Sequence, residues 1–271
     1  MFDNFQGRRI PFVKASACGN DFLIIDGRYA SDDSSELTRR ICDRHNGIGA
    51  DGVEWLYRDE KRDGLIHLIN ADGSKAELSG NGTRCVAAYL AAQTGKTRLV
   101  IGTDAGDKLC ELRRRENARF YFHTDMGTPH VGDEFALKLR RGTVRGTPVS
   151  MGNPHYVVFV NEFPHDWQVL AEEIQGQEQA FHEGVNVEFV TITGPSEITI
   201  RIYERGAGET QSSGTGTSAT ASAAIAAGKV KGPTVTVISP GGAQIVHWAG
   251  GDASLALEGP ADLLCKGEFF G

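Results

Sequence analysis

Two short segments of the chain place a serine, two glycines and a threonine in the order Ser-Gly-x-Gly-Thr, each directly before an alanine-rich stretch. They are residues 79–83 (SGNGT) and residues 213–217 (SGTGT). A glycine-rich turn that opens a helix offers unpaired backbone N–H groups and the positive end of the helix dipole, so an anion such as a carboxylate is its natural ligand. For one such loop, a plain turn with a serine N-cap is an equal alternative. Because the motif occurs twice, we expect a composite site.

The two loops are part of a longer internal repeat. A Gly-Asn pair lies on or beside a predicted strand in each half, at Gly19 and at Gly152, and the loop serine follows 60 positions later in the first half and 61 in the second. Two matches in step over such distances indicate two related halves. We therefore predict an N-terminal domain at residues 1–124, with 263–271 as a candidate to return to it, and a C-terminal domain at 125–262.

Each half contains predicted strands and a few helices. The predicted strands are IPFVKAS, DFLIID, LIHLIN, TRLVIGT, DKLCELR, ARFYFHT, HYVVFV, VNVEFVTI, EITIRIYE, VTVISP, QIVHW and SLALE. A helix is predicted at SSELTRRICDRH, opened by a serine cap, and another follows each Ser-Gly-x-Gly-Thr loop. Because helices and strands do not alternate strictly, the fold class is α/β with mixed (α+β) sheets, not a doubly wound parallel sheet.

Composition excludes several classes of function. The chain has 271 residues and a net charge of −7, which disfavours a nucleic acid or an anionic membrane as a partner. Its five cysteines form no CxxC pair, which argues against a zinc site or a disulfide framework. No apolar run approaches the roughly 18 residues of a membrane helix, and the start, MFDNFQGRRIPF, lacks an apolar signal region. We expect a cytoplasmic protein.

A nucleotide-binding alternative comes from residues 214–219 (GTGTSA), which fit the GxGxxA fingerprint of dinucleotide-binding turns. The match lacks a compact βαβ context. About 20 residues further on stands Ser239, where an acidic residue is expected to bind the ribose. A nicotinamide-dependent oxidoreductase is therefore a competing hypothesis, and it requires nucleotide binding.

Several longer segments carry a specific resemblance. In order they are FVKASACGNDFLIID (12–26), DRHNGIGADGV (43–53), NADGSKAELSGNGTRC (70–85), SMGNPHYVVFV (150–160), EGVNVEFV (183–190) and ERGAGETQSSGTGT (204–217). Along almost its entire length the chain resembles the diaminopimelate epimerase family. It departs from the family pattern at Ser79 and Ser213, where that family carries its two catalytic cysteines.

The resemblance implies both a fold and a reaction. The fold is two similar α/β domains with the active site in the cleft between them, which agrees with the internal repeat. The reaction is a cofactor-independent and metal-independent epimerisation, without pyridoxal phosphate, that converts LL-diaminopimelate to the meso form in lysine biosynthesis. One cysteine removes the α-proton while the other delivers a proton on the opposite face. The implied partner is a small amino acid, and a homodimer is compatible with the family although the sequence does not show one.

The resemblance also implies a role for individual residues. Ser79 and Ser213 occupy the catalytic positions. Backbone donors to the α-carboxylate come from the helix starts, and the other positions bind the polar ends of the substrate or line the site near the reacting carbon. The backbone donors are Gly80, Asn81, Gly214 and Thr215; the binding and lining side chains are Asn20, Asn70, Asn153, His155, Asn186, Glu204 and Arg205. These side chains also have a structural alternative. The asparagines would cap turns, His155 would be hydrogen-bonded within a loop, and Glu204 and Arg205 would form a surface ion pair.

The serines weaken the simplest mechanism. A thiol has a pKa near 8.5, which a helix N-terminus can lower to about 3.5–7.5. A serine hydroxyl is closer to water, whose pKa is about 15.7. The difference corresponds to roughly 10 kcal/mol, whereas a helix terminus supplies only about 0.3–2 kcal/mol. Ser79 and Ser213 therefore need a neighbouring proton acceptor. Spacing identifies none, although motifs expected near the cleft contain Cys18, His155, Glu204 and Glu209.

Three explanations of the serines stay open. The chain is a homologue that binds an amino acid without epimerising it, or a Cys→Ser form disabled by engineering, or an isomerase that uses other acids and bases on diaminopimelate or another substrate. Further departures from the family pattern favour natural divergence. Ala-Ser-Ala at 15–17 replaces Met-His-Gly, Asn46 replaces an aromatic residue, and Ser212 stands where alanine is common.

Overall fold

The structure, a computed structural model, describes residues 8–31 and 33–270, and these divide into two compact units. The first unit contains the described residues up to Phe122 together with those from Pro260 onward, and the second is His123–Gly259. The predicted division lay near Asp125. Residues 1–7, which include most of the segment inspected for a targeting signal, lie outside the described residues.

The first unit contains two helices that contact its strands. The helices are α1 (Ser34–Cys42) and α2 (Gly80–Thr94), with a 3-10 turn at Gly27–Tyr29. The strands in chain order are β1 (Arg9–Ala17), β2 (Asn20–Asp26), β3 (Gly52–Tyr57), β4 (Gly64–Asn70), β5 (Lys75–Ala76), β6 (Arg98–Thr103), β7 (Gly106–Glu116) and β8 (Arg119–Gly127), which continues past the unit boundary.

The second unit has the same kind of content. Its helices are α3 (Trp167–Gln175) and α4 (Gly214–Ala226). Its strands are β9 (His130–Val131), β10 (Phe135–Leu139), β11 (Gly142–Ser150), β12 (Pro154–Phe159), β13 (Asn186–Gly194), β14 (Glu197–Glu204), β15 (Gly208–Thr210), β16 (Thr234–Ser239), β17 (Gly242–His247) and the start of β18 (Leu255–Phe270). The rest of β18 belongs to the first unit, where it pairs antiparallel with β1.

Strand pairing follows the same order in both units. In the first, β1 is antiparallel to β2, β2 parallel to β3, β3 antiparallel to β4, and β4 parallel to β6. In the second, β11, β12, β13, β14 and β16 repeat that series of pairings and directions. The repeat and the mixed sheets predicted from the sequence are thus confirmed.

Two details differ from the predicted elements. Helix α1 ends at Cys42 and its N-cap is Asp33 without a side-chain cap bond. The predicted cap, Ser34, instead donates to the carbonyl of Ser31 and accepts from its N–H, so its hydroxyl completes the preceding turn. Helix α3 was not predicted, although its buried positions Trp167, Ala171 and Ile174 have helical spacing.

The two loop-opened helices are the central core elements of their units. Helix α2 packs its alanines and Val86 against sheet residues such as Phe22, Ile24 and Leu68. Helix α4 packs its alanines against the valines and isoleucines of β12, β14 and β16. Small side chains let each helix lie close to its sheet, which fixes the position of its N-terminus. Among the described residues no helix has the length and apolarity needed to cross a membrane.

Candidate active site

Both Ser-Gly-x-Gly-Thr segments form the first turn of a helix, because α2 begins at Gly80 and α4 at Gly214. Ser79 is the N-cap of α2, and its Oγ accepts a hydrogen bond from the N–H of Gly82 at 3.0 Å. Ser213 caps α4 in the same way, accepting from the N–H of Gly216 at 3.2 Å. The capping alternative is therefore correct as geometry. It leaves the first helical N–H groups free of intrahelical carbonyl partners, as an anion site requires.

A buried glutamate lies beneath each loop. A Cβ atom placed on Gly82 would lie 1.8 Å from Oε1 of Glu54, and a Cβ placed on Gly216 would lie 2.8 Å from Oε1 of Glu188. Both glutamate side chains are fully buried, with 0% relative exposure. The fourth loop position has to be glycine in each half because a carboxyl oxygen occupies the space of a side chain.

In the second unit the glutamate belongs to a polar chain that leads back to the serine. Glu188 Oε1 lies 2.7 Å from Nδ1 of His155, whose Nε2 lies 3.0 Å from Oδ1 of Asn153. Asn153 donates to Oγ1 of Thr215 at 3.4 Å, and that hydroxyl is 3.4 Å from Oγ of Ser213. Both ring nitrogens of His155 therefore face oxygen atoms of neighbouring side chains. Predicted site residues Asn153, His155, Ser213 and Thr215 are thus brought together.

In the first unit the glutamate is alone. Within the described part of the chain, neither carboxyl oxygen of Glu54 has a hydrogen-bond partner. Its neighbours in register on the adjacent strands are Ile24 and Leu68, both core residues. Burial raises the pKa of Glu54 to about 8, so the carboxyl keeps its proton at neutral pH.

Asn20 and Asn81 join the start of β2 to the start of α2. Asn20 donates to Oδ2 of Asp51 at 2.6 Å and accepts from Nδ2 of Asn81 at 3.3 Å. Oδ1 of Asn81 in turn accepts from the guanidinium of Arg84, which is fully buried. Desolvation lowers the pKa of Arg84. These bonds orient both predicted asparagines beside the loop that Ser79 begins.

A charged cluster supports this end of β2. Asp21 binds Nη2 of Arg44 at 2.7 Å and Nζ of Lys14 at 2.8 Å, and Arg44 also binds Asp51 at 2.7 Å. Burial opposes ionisation of Asp21, but the hydrogen bonds from Arg44 and Lys14 outweigh it and hold the pKa of Asp21 below its usual value. The cluster fixes Asp51, which positions Asn20.

The remaining predicted residues make local contacts. Asn186 donates to the carbonyl of Pro154 at 3.0 Å and accepts from the N–H of Arg205 at 3.0 Å, which ties three segments of the second unit together. Glu204 accepts from the hydroxyl of Thr210 at 2.7 Å. Asn70 donates to Oγ of Ser74 at 3.0 Å within its own turn, as the structural alternative expected.

Comparison with known proteins decides the family. The sequence model of the family described as diaminopimelate epimerase matches residues 12–131 and 147–264. A diaminopimelate epimerase of Carboxydothermus hydrogenoformans is 35% identical over 282 residues, covering 96% of this chain and 100% of that protein. Another, from Pelotomaculum thermopropionicum, is 36% identical over 279 residues and covers 95% of this chain and 98% of that protein. The chain belongs to the diaminopimelate epimerase family.

A solved structure outside this family shares the fold. The chain is similar to a hydroxyproline epimerase from Agrobacterium vitis with a TM-score of 0.77, over 97% of this chain and 93% of that chain, at 17% sequence identity. At that identity the likeness shows the fold alone. The mixed two-unit architecture of this diaminopimelate epimerase family member is therefore shared with amino-acid epimerases of distant sequence.

For this member of the diaminopimelate epimerase family, the two buried glutamates were not predicted as site residues. A signal was present: Glu54 follows Gly19 by 35 positions and Glu188 follows Gly152 by 36, so both stand in step with the repeat. Each is also a single acidic residue within an apolar strand segment, GVEWLY or VNVEFV. A charged residue that is buried in a strand is unusual, and matched copies indicate a retained role.

Proposed function

We propose that the chain is an epimerase of the diaminopimelate epimerase type, which inverts an α-carbon of LL-diaminopimelate to give the meso form and so serves lysine biosynthesis. The substrate is a small amino acid, and the chemistry is transfer of the α-proton without a cofactor or a metal. The single observation that carries the proposal is the matched pair of serine-capped helix starts, each with a buried glutamate beneath it. Family membership supports the reaction type.

The helix starts bind the substrate in this proposal. The N–H groups of Gly80 and Asn81 in α2, and of Gly214 and Thr215 in α4, lie in the first turn, where no intrahelical carbonyl reaches them. They receive the α-carboxylate, and the positive helix ends stabilise the negative charge that develops when the α-proton leaves.

The serines move the proton. Ser79 and Ser213 each hold Oγ at a helix N-terminus, where the N–H bond from Gly82 or Gly216 leaves the hydroxyl hydrogen available for donation. One serine takes the α-proton and the other returns a proton to the opposite face. In the second unit, His155 and Glu188 lie behind Ser213 and orient Asn153 and Thr215 beside its hydroxyl.

The polar ends of the substrate meet the asparagine and charged side chains predicted for them. Glu204 and the exposed Arg205 are the proposed partners of an ammonium and a carboxylate group. Asn20, Asn70 and Asn186 complete the set as amide donors and acceptors. Replacing Arg205 by lysine is expected to raise KM more than it lowers kcat, because a single ammonium cannot reproduce a bidentate contact.

We further propose a cytoplasmic setting, and the cysteines support it. All five are free thiols, and Cys18, Cys42, Cys85 and Cys110 are buried. A chain with this many unpaired thiols suits a reducing compartment. A probe of localisation by fractionation, with the thiols counted before and after reduction, checks this proposal.

Proton NMR of LL-diaminopimelate with the purified protein in deuterated water tests the function. We expect the α-proton signal to disappear at an enzymic rate as the meso form appears. Ser79→Ala and Ser213→Ala are each expected to lower kcat by at least about a hundredfold, the usual contribution of a general acid or base. Ser79→Cys and Ser213→Cys serve as matched controls that restore a thiol. Retention of the α-proton by the unmodified chain while the ligand binds would reject catalysis and leave a binding role.

A further inference from the structure

Glu54 is a buried acid that the mechanism above does not use. It lies in the middle of β3, between Ile24 and Leu68 of the neighbouring strands, on the side of the sheet that helix α2 covers. Its side chain is fully buried, and both carboxyl oxygens lack a hydrogen-bond partner among the residues that the structure describes. Burial raises the pKa of the Cys85 thiol in α2, and the charge of Glu54 acts in the same direction.

Glu54 and Ser79 both border Gly82. The position that a Cβ of Gly82 would take lies 1.8 Å from Oε1 of Glu54 and 3.3 Å from Cβ of Ser79. The N–H of Gly82 already binds Oγ of Ser79. An unpartnered carboxyl therefore lies on the protein side of the loop that Ser79 begins, and the absence of a side chain on Gly82 leaves the space beside both residues open.

From this geometry we propose that Glu54 is the proton acceptor behind Ser79: a positioning residue that takes the hydroxyl proton when Ser79 removes the α-proton of the substrate. The inference rests on the proposed role of Ser79. A serine at position 79 needs a proton acceptor, and the inference assigns that role to a carboxyl inside the core.

The step balances as a two-proton relay. The Cα–H bond of the substrate breaks and its electron pair stays on the α-carbon, conjugated with the carboxylate at the helix start. The proton forms a new O–H bond with Oγ of Ser79 while the original O–H bond of Ser79 breaks and its proton joins the carboxylate of Glu54, whose ionised form reaches half of the population near pH 8. In the reverse direction Glu54 returns the proton through Ser79. Neither an oxidant nor a second reactant is needed.

The proton affinity of the buried acid suits this task. Desolvation raises the pKa of Glu54 to about 8, close to the value of about 8.5 for an ordinary thiol. A relay that ends on Glu54 therefore holds the proton about as tightly as the thiol that the family resemblance places at this position. The serine alone would differ from that thiol by about 7 in pKa.

A purely structural role does not account for this residue. A buried carboxyl without a hydrogen bond destabilises the fold relative to an apolar side chain of similar size. Its pairing neighbours Ile24 and Leu68 are aliphatic, so leucine at position 54 would match its surroundings. A destabilising group retained beside a helix start indicates a functional site.

The first experiment separates the role of Glu54 from stability. Glu54→Gln is expected to lower kcat by at least about a hundredfold and leave KM within about twofold, with an unchanged or higher melting temperature. Glu54→Asp, which keeps the acid on a shorter stem, is expected to recover part of the rate. Unchanged kcat in Glu54→Gln would overturn the proposal, and so would a loss of kcat that follows only a loss of folded protein.

The second experiment does not depend on catalysis. In Ser79→Cys, the pKa of the introduced thiol can be measured from thiolate absorbance, with the unmodified chain subtracted as background for its own five cysteines. Adding Glu54→Gln is expected to lower that pKa by at least about 1, because the opposing carboxylate charge is removed. Ser213→Cys with Glu54→Gln is the matched control and is expected to show no change.

The two experiments fail in different ways. If the unmodified chain shows no α-proton exchange, the proposed function falls, while the thiol titration still decides whether position 79 and Glu54 share a proton. A thiol pKa that is the same with and without Glu54 overturns the inference whatever the activity.

Discussion

In the second unit Glu188 is hydrogen-bonded to His155, whereas in the first unit the corresponding Glu54 has no partner among the described residues. The backbone does not cause this difference, because His155 pairs with Asn186 and Phe22 pairs with Gly52 at the same place in the repeated sheet. The first unit has phenylalanine where the second has histidine. One side chain therefore decides whether a buried carboxyl under a Ser-Gly-x-Gly-Thr loop is paired or isolated.

The comparison shows that the two units share the same strand pairing and differ in what surrounds the buried carboxyl. In the second unit the carboxyl of Glu188 joins a polar chain of histidine, asparagine and threonine. In the first unit the carboxyl of Glu54 is isolated, and burial raises its pKa. The predictions below, from the largest expected effect to the smallest, test that difference.

The pH dependence of stability should reveal the isolated carboxyl. Burial raises the pKa of Glu54 from 4.5 to about 8. Between these values the folded state keeps a proton that the unfolded chain has lost, so stability falls as pH rises through this window. The full difference corresponds to roughly 5 kcal/mol in the free energy of unfolding. Urea unfolding at pH 5, 6.5 and 8 measures it.

Glu54→Gln is expected to remove this slope and Glu188→Gln to leave it in place. A stability that does not change with pH in the unmodified chain, or a slope that persists in Glu54→Gln, would contradict the isolated state of the carboxyl.

Phe22→His should make the first unit resemble the second. The imidazole is expected to hydrogen-bond Glu54 as His155 bonds Glu188, which favours the ionised carboxylate and lowers its pKa. More than half of the pH-dependent loss of stability, about 3 kcal/mol, should then disappear. Phe22→Leu is the control, because it removes the ring without supplying a partner. If both variants change the pH slope equally, the histidine is not the deciding difference.

Alanine at the fourth loop position should affect the first unit more strongly. The added methyl of Gly82→Ala meets Glu54 Oε1 at 1.8 Å, whereas that of Gly216→Ala meets Glu188 Oε1 at 2.8 Å. Overpacking typically costs about 1–3 kcal/mol, so we expect the upper end for Gly82→Ala and the lower end for Gly216→Ala. Chemical denaturation compares the two, and Gly82→Ala with Glu54→Ala should recover part of the loss. Equal losses in the two single variants would contradict the measured spacing.

The caps should be equivalent. Ser79→Ala and Ser213→Ala each remove one hydroxyl acceptor from a helix N-terminus, so each is expected to lose about 1 kcal/mol of stability. Thermal unfolding of the two variants measures this, with Ser→Asn at either site as a control that keeps a capping acceptor. A much larger loss at one serine would show that the repeat is not symmetric at its caps.

Much of this arrangement could be predicted from the sequence. The two loops, their serine caps and the matched halves follow from local patterns, because caps and glycine turns depend on residues close in the chain. The asparagines at 20, 81 and 153 were likewise expected near the loops, and the structure gives them bonds there.

The glutamates could not be placed in the same way. Strand β3 was not among the predicted strands, and the residue that lies under helix α2 depends on the parallel pairing of β2 with β3, a contact between distant segments. Whether Glu54 has a hydrogen-bond partner depends on the residue at position 22. Phe22 is 32 positions away in the chain, and no sequence pattern links the two positions. Burial and isolation of a charge are tertiary properties.

The pairing of β18 with β1 also fixes an order of events during synthesis. Residues Arg9 and Phe270 are partners in this ladder, so the first unit lacks the strand that pairs with β1 until the residues up to Phe270 have left the ribosome. The second unit, by contrast, has all its residues once Gly259 has emerged. Although vectorial synthesis usually lets the N-terminal domain fold first, here the later half can be complete while the earlier one still waits for its closing strand.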